Sequence, residues 1–150
     1  MRLGCIFIQS AHGAQSDGPL VDAKLKHLEF IQGVINRVAT NSFQLKGWTM
    51  LLVSALFALS AANTKVAFVF LAYVPAAVFW GLDGYFLMVE RAYRELYDRV
   101  RVMDAVDFSM ATSDTETGFS RWVAATTSKT LVPFHLAIIG AILVVMFLQL

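Results

Sequence analysis

The sequence predicts an all-α membrane protein: three transmembrane helices, the first two forming a long antiparallel hairpin that extends into the cytoplasm as a coiled coil. Three observations predict it. Apolar residues make up 57% of the 150-residue chain and charged residues 15%, against roughly 45–50% and about 25% in a soluble domain. The apolar residues are gathered into blocks, as membrane spans are, rather than spread as in one core. Outside the blocks, apolar residues recur at alternating spacings of three and four, which is the pattern of a helical seam.

Residues 1–21 fit this plan least. The apolar run LGCIFI is shorter than a signal-peptide core, and SDGP reads as a loop. The segment is therefore expected to be a disordered or non-native extension. A start at Val21 from a non-ATG codon would give VDAKLKHLEF as a helix opening, with Asp22 as N-cap. N-terminal sequencing of the endogenous protein tests that start, and an intact 1–20 segment would exclude it.

Residues 22–103 are expected to form the hairpin. Its spans are 47–63, GWTMLLVSALFALSAAN, and 66–89, VAFVFLAYVPAAVFWGLDGYFLMV. The NTK connection permits only a tight turn. Before the first span, Leu28, Ile31, Ile35, Val38, Ser42 and Leu45 form one seam. After the second, Phe86, Val89, Tyr93, Leu96, Val100 and Met103 form its counterpart. A turn at 63–65 brings Lys46 level with Asp83, Arg37 with Glu90, Glu29 with Arg99 and Trp48 with Trp80.

Residues 104–130 read as a cytoplasmic loop and an interfacial helix. MDAVDFSMATSDTETGF carries acids and no base, which suits a solvated linker or, alternatively, a docking segment. SRWVAATTSK, anchored by Trp122 and Arg121, suits a short helix at the membrane surface. Residues 131–150, LVPFHLAIIGAILVVMFLQL, form the third span.

Lys24, Lys26, Arg37 and Lys46 precede the first span. Arg91, Arg94, Arg99, Arg101, Arg121 and Lys129 lie between the second and third, while only Lys65 lies in the hairpin turn. The positive-inside rule puts the N-terminus and residues 90–130 in the cytoplasm and the C-terminus outside. Trp48 and Trp80 then sit at the inner interface, as Trp122 does on its short helix.

Asp83 is the charge that needs an account. It lies about 27 Å along the helix from Lys65 at 1.5 Å per residue, near the inner face, where Lys46 can snorkel to it. One reading is an interfacial pair that locks two helices. The other is a titrating carboxylate on an ion or proton path. Pro75 is a candidate hinge or a packing kink, with its clash falling near Leu71. Ser54, Ala58 and Ala62 form a small-residue ladder, as do Ala77 with Gly81 and Ala137 with Ala141, and such ladders favour self-association.

Cys5 is the one cysteine, so no intrachain disulfide forms. His12, His27 and His135 match no metal spacing, and no cofactor is expected. No phosphate loop, nucleophile motif or soluble acid pair points to an enzyme. ERAYRELYDRVR alternates acids with bases and so argues against nucleic acid as a partner.

LEFIQGVINRVATNSFQLKGW and FWGLDGYFLMVERAYRELYDRV resemble a group of small, uncharacterised bacterial multi-pass membrane proteins. Its members are similar in setting to membrane effectors of bacterial conflict and anti-phage loci, where a soluble sensor is paired with a membrane effector. The resemblance covers residues 28–48 and 79–100 and carries no functional residue with it. The leading expectation is a non-enzymatic inner-membrane protein that self-associates and disturbs the bilayer under a soluble cytoplasmic partner. The alternatives are an anchor or scaffold that docks such a partner, and a small ion-coupled transporter using Asp83.

Overall fold

The computed structural model describes residues 6–63, 67–103, 107–113 and 117–149, with side chains from Gly18 onward. The described residues form helices α1 (Ile6–Asn63), α2 (Ala67–Leu71), α3 (Tyr73–Val102), α4 (Phe119–Thr126) and α5 (Val132–Gln149). Three stretches, within Gly18–Ala62, Ala67–Val102 and Val132–Gln149, are long and apolar enough to cross a membrane. The expected turn at 64–66 lies outside the described residues.

Four features differ from what the sequence predicts. First, α1 starts at Ile6 and runs through Pro19. The expected SDGP loop is therefore helical, and Asp22 lies inside the helix rather than at its cap. Proline fixes φ near the helical value and removes a single backbone donor, which this long helix tolerates.

Second, the middle span is divided at Ala72. Pro75 has no N–H to offer the Leu71 carbonyl. The chain tightens there, with Ala72 N–H bonded to Val69 O at 3.1 Å, and resumes with Ala76 N–H on Ala72 O at 3.4 Å. Ala72 keeps helical φ and ψ of −65° and −21°, so the break is a tightened turn.

Third, the α3 seam follows another spacing. Gly84, Met88, Ala92, Leu96 and Val100 are buried, each four residues from the last. Of the expected seam Leu96 and Val100 are buried, Phe86, Val89 and Tyr93 are half-buried, and Met103 is exposed. A row of fourth residues is inclined to the helix axis, so the buried face turns along α3. Gly84 meets α4, whereas Leu96 and Val100 meet α1, and no single heptad serves both partners. On α1 the expected seam is buried or half-buried throughout, from Leu28 to Leu45.

Fourth, two expected ion pairs are replaced. Glu90 Oε1 is bound by Arg94 Nη2 at 2.6 Å, in place of Arg37, and Glu29 Oε2 by Lys26 Nζ at 2.7 Å, in place of Arg99. Both are pairs within one helix turn, which need no alignment between helices. All four partners except Glu90 are largely exposed, so each pair contributes at most about 0.5 kcal/mol.

Two apolar clusters hold the helices. Ile31, Ile35, Leu96 and Val100 join α1 to α3 away from the α2 end, with Leu28, Tyr93, Tyr97 and Met110 packed around them. Val53, Val69, Ala72, Ala76 and Ile142 join α1, α2, α3 and α5. Burying Ile31, Ile35, Leu96 or Val100 away from water contributes about 1.5–3 kcal/mol each. The second cluster lies within the apolar blocks, where close packing rather than water exclusion holds helices together.

Candidate functional site

The site grows from one requirement. A carboxylate on an apolar helix must be neutralised and hydrogen-bonded if water is excluded. Asp83 is fully enclosed, and three helical positions supply its partners. Lys46 Nζ lies 2.6 Å from its Oδ2. Ser42, one turn before Lys46 on α1, donates its hydroxyl to Oδ1. His135 of α5 donates Nε2–H to Oδ2 at 3.2 Å. Lys46 also donates to Ser42 Oγ at 3.0 Å, so the hydroxyl accepts and donates at once.

The aromatic surroundings fix this cluster. Trp80 stacks on the His135 ring with centroids 5.4 Å apart and planes 12° from parallel. Lys46 Nζ lies 5.9 Å above the Phe134 ring, within cation–π range. Trp80 Nε1 donates to Thr126 O and Trp122 Nε1 to Gly81 O, each at 3.0 Å. These two reciprocal bonds tie α3 to α4, and Arg121 on Glu95 at 2.6 Å extends the contact. Gly84 makes the close approach possible: a Cβ there would lie 3.1 Å from Thr126 Cα.

Seven-residue steps repeat the cluster's level along the bundle. Lys46, Asp83 and His135 form one layer; Val53, Ala76 and Ile142 form the next; Ser60, Val69 and Gln149 form a third. Seven residues advance a helix by about 10 Å. Ser60 donates to Gln149 Oε1 at 2.6 Å. Two polar layers therefore lie roughly 20 Å apart. They are separated by the apolar cluster around Val53, Ala76 and Ile142, with Phe57, Tyr73 and Met146 packed against it and the hydroxyl of buried Thr49 turned to Leu45 O.

The sequence-derived candidates are thus distributed. Lys46 and Asp83 meet, while Arg37, Glu90, Glu29 and Arg99 lie away from the site, on the α1–α3 surface beyond it. Pro75 sits next to Ala76 of the aliphatic layer. Trp48 is exposed on α1, whereas Trp80 and Trp122 turn inward as helix ties. From the sequence, His135 matches no metal spacing and Ser42 is a seam position; neither is expected beside Asp83. The available signals were the Ser42–Lys46 spacing of one turn and the seven residues from His135 to Ile142.

Chemically Asp83 is a satisfied acceptor surrounded by donors, while His135 Nδ1 on the far side of its ring is enclosed without a partner. No group of three metal-ligating side chains exists among the described residues. Comparison with protein-family models, with curated proteins and with solved structures finds no match.

Proposed function

We propose that the chain is a non-enzymatic integral protein of a bacterial inner membrane that self-associates and, as an assembly, disturbs the bilayer. In this reading the N-terminus and residues 90–130 lie in the cytoplasm, and a soluble partner acts on residues 22–45 and 90–130. The Lys/Arg distribution supports the orientation.

The outer face of α1 carries the proposal. Gly33, Arg37, Thr40, Gln44, Gly47, Leu51, Ser54, Ala58 and Ala61 alternate spacings of four and three, and all are exposed. At about 100° per residue they lie opposite the seam that packs on α3. Every seventh position (Gly33, Thr40, Gly47, Ser54, Ala61) is small. A Cβ added at Gly33 or Gly47 would meet nothing within 4 Å. A glycine inside a helix costs about 1 kcal/mol relative to alanine, and contacts within one chain do not offset it here. Close approach of a neighbouring helix would.

The aliphatic layer bears on the mechanism. Within one chain Val53, Ala76 and Ile142 separate the two polar layers, so this reading requires an opening between copies. The same layer favours the second reading, an anchor or scaffold that docks a partner and moves nothing. A transporter using Asp83 would need a polar path past those three residues.

Native mass spectrometry of the full chain released from lipid nanodiscs tests the assembly. The expected result is a multimer for the parent and a monomer of unchanged helix content for Gly47→Leu with Ser54→Leu. A monomeric parent, or an unchanged multimer in the variant, would overturn the proposal.

A further inference from the structure

Residues 107–113 follow the end of α3 without regular structure and fold back on α1. His27 is almost completely enclosed beneath them. Its Nε2–H donates to Ser109 O at 3.0 Å, and its ring lies 5.4 Å from that of Phe108. Met110 packs on Ile31, Ile35, Leu96 and Val100. Lys24 Nζ donates to Met103 O at 2.8 Å, fixing the chain where it leaves α3. The segment's other bonds are local: Ser109 N–H to Asp107 Oδ1 at 2.9 Å and Ala111 N–H to Ser109 Oγ at 3.4 Å. Phe108 has φ of 53°, a conformation that a bulky side chain rarely adopts.

We propose that residues 107–113 are a strap latched over the α1–α3 apolar cluster by neutral His27, and that protonation of His27 releases it. With Nε2–H committed to Ser109, the other ring nitrogen, Nδ1, is a bare acceptor. It is enclosed and has no partner. A proton added there becomes an enclosed donor with nothing to bond, and such a group is costly. Lys24 stands one turn away on α1. Arg99 of α3 and Asp107 of the strap share the adjoining groove with Ser109. Lys24 opposes a further positive charge. The Asp107 carboxylate, which accepts from the Ser109 amide, keeps its own charge and offsets part of that effect without reaching the enclosed Nδ1 as an acceptor.

Opening the strap gives the imidazolium water and relaxes Phe108. The sign follows: the closed state requires neutral His27 and the open state accepts the proton. Closure therefore persists at alkaline pH and is lost as pH falls. Release uncovers part of the Ile31, Ile35, Leu96 and Val100 surface on the side expected to face the cytoplasm. The latch does not depend on how copies assemble.

Nitroxide labels at Ala111→Cys and Gln32→Cys, in a Cys5→Ser background of the full chain in nanodiscs, report strap position. The expected result is one short distance at about pH 8 and an open population at least about tenfold larger at about pH 5. His27→Gln keeps a side-chain N–H for Ser109 and does not titrate; it should stay closed at both values. His27→Met should lose pH dependence whatever its resting position, and Asp107→Asn should keep it. An unchanged parent distance, or the same acid opening in His27→Gln and His27→Met, would overturn the latch.

Discussion

Lys46 Nζ and Asp83 Oδ2 stand 2.6 Å apart, and the carboxylate is wholly enclosed while a quarter of the lysine side chain is exposed. The asymmetry defines the contact. The lysine reaches inward from the surface, and the aspartate is committed to the interior of a three-helix junction. Removing the lysine leaves a buried charge, whereas removing both leaves none.

Lys46→Met should destabilise the chain by about 3–5 kcal/mol, because the enclosed carboxylate loses its counter-charge. Asp83→Leu should cost less, because the partly exposed lysine can turn to the surface. The double variant should recover a large part of that loss. Unfolding in mixed detergent, read as loss of helical signal, measures the cycle. Losses that simply add would refute a coupled pair.

Gly84→Ala should destabilise by about 1–3 kcal/mol through overpacking, because Thr126 of α4 occupies the space that a Cβ needs. Gly33→Ala should instead be neutral or stabilising in the isolated chain, since it meets open space and gains helix propensity. Thermal unfolding of the two variants side by side checks the opposite signs.

His135→Leu should loosen α5 selectively. It removes the Nε2–H bond to Asp83 and the stack on Trp80. Hydrogen exchange should rise in Val132–Gln149 by at least about tenfold, the effect of 1.4 kcal/mol, while the α1–α3 end around Ile31 and Leu96 stays protected. Uniform exchange across the chain would contradict the assignment.

Trp122→Phe keeps the ring and loses the bond to Gly81 O. It should weaken the α3–α4 contact by about 1 kcal/mol, seen as a lower melting temperature without loss of helix. Trp48→Phe, on the exposed face of α1, should leave the melting temperature of the monomer unchanged.

Much of this arrangement was legible from residue spacing. Apolar blocks located the three long helices, because length and composition alone decide whether a helix can cross hydrocarbon. The α1 seam was visible because one partner, α3, runs beside most of it. Pro75 marked the tightened turn at Ala72 because a missing N–H acts at a fixed distance along the chain. The α3 seam was legible in part: its positions from Phe86 to Val100 are buried or half-buried. The fully buried row through Gly84, Met88 and Ala92 was not, because α3 serves α4 at Gly84 and α1 at Leu96. Charge pairing across the hairpin misled at Glu90 and Glu29, where a nearer cation on the same helix competes. The seven-residue step from His135 to Ile142 marks the face of α5 that His135 shares, but not its partner, because the approach to Asp83 depends on how α5 docks. The outer seam of α1 lies in the sequence at every seventh residue, yet its meaning depends on knowing which face is already occupied.

The most direct measurement is membrane potential during induced expression in a bacterium, for the parent beside Gly47→Leu with Ser54→Leu, and with Asp83→Asn as the site control. Depolarisation by the parent that disappears in the α1-face variant is the predicted result. A potential unchanged by the parent, or collapsed equally by the α1-face variant, would contradict an assembly that opens the membrane through that face.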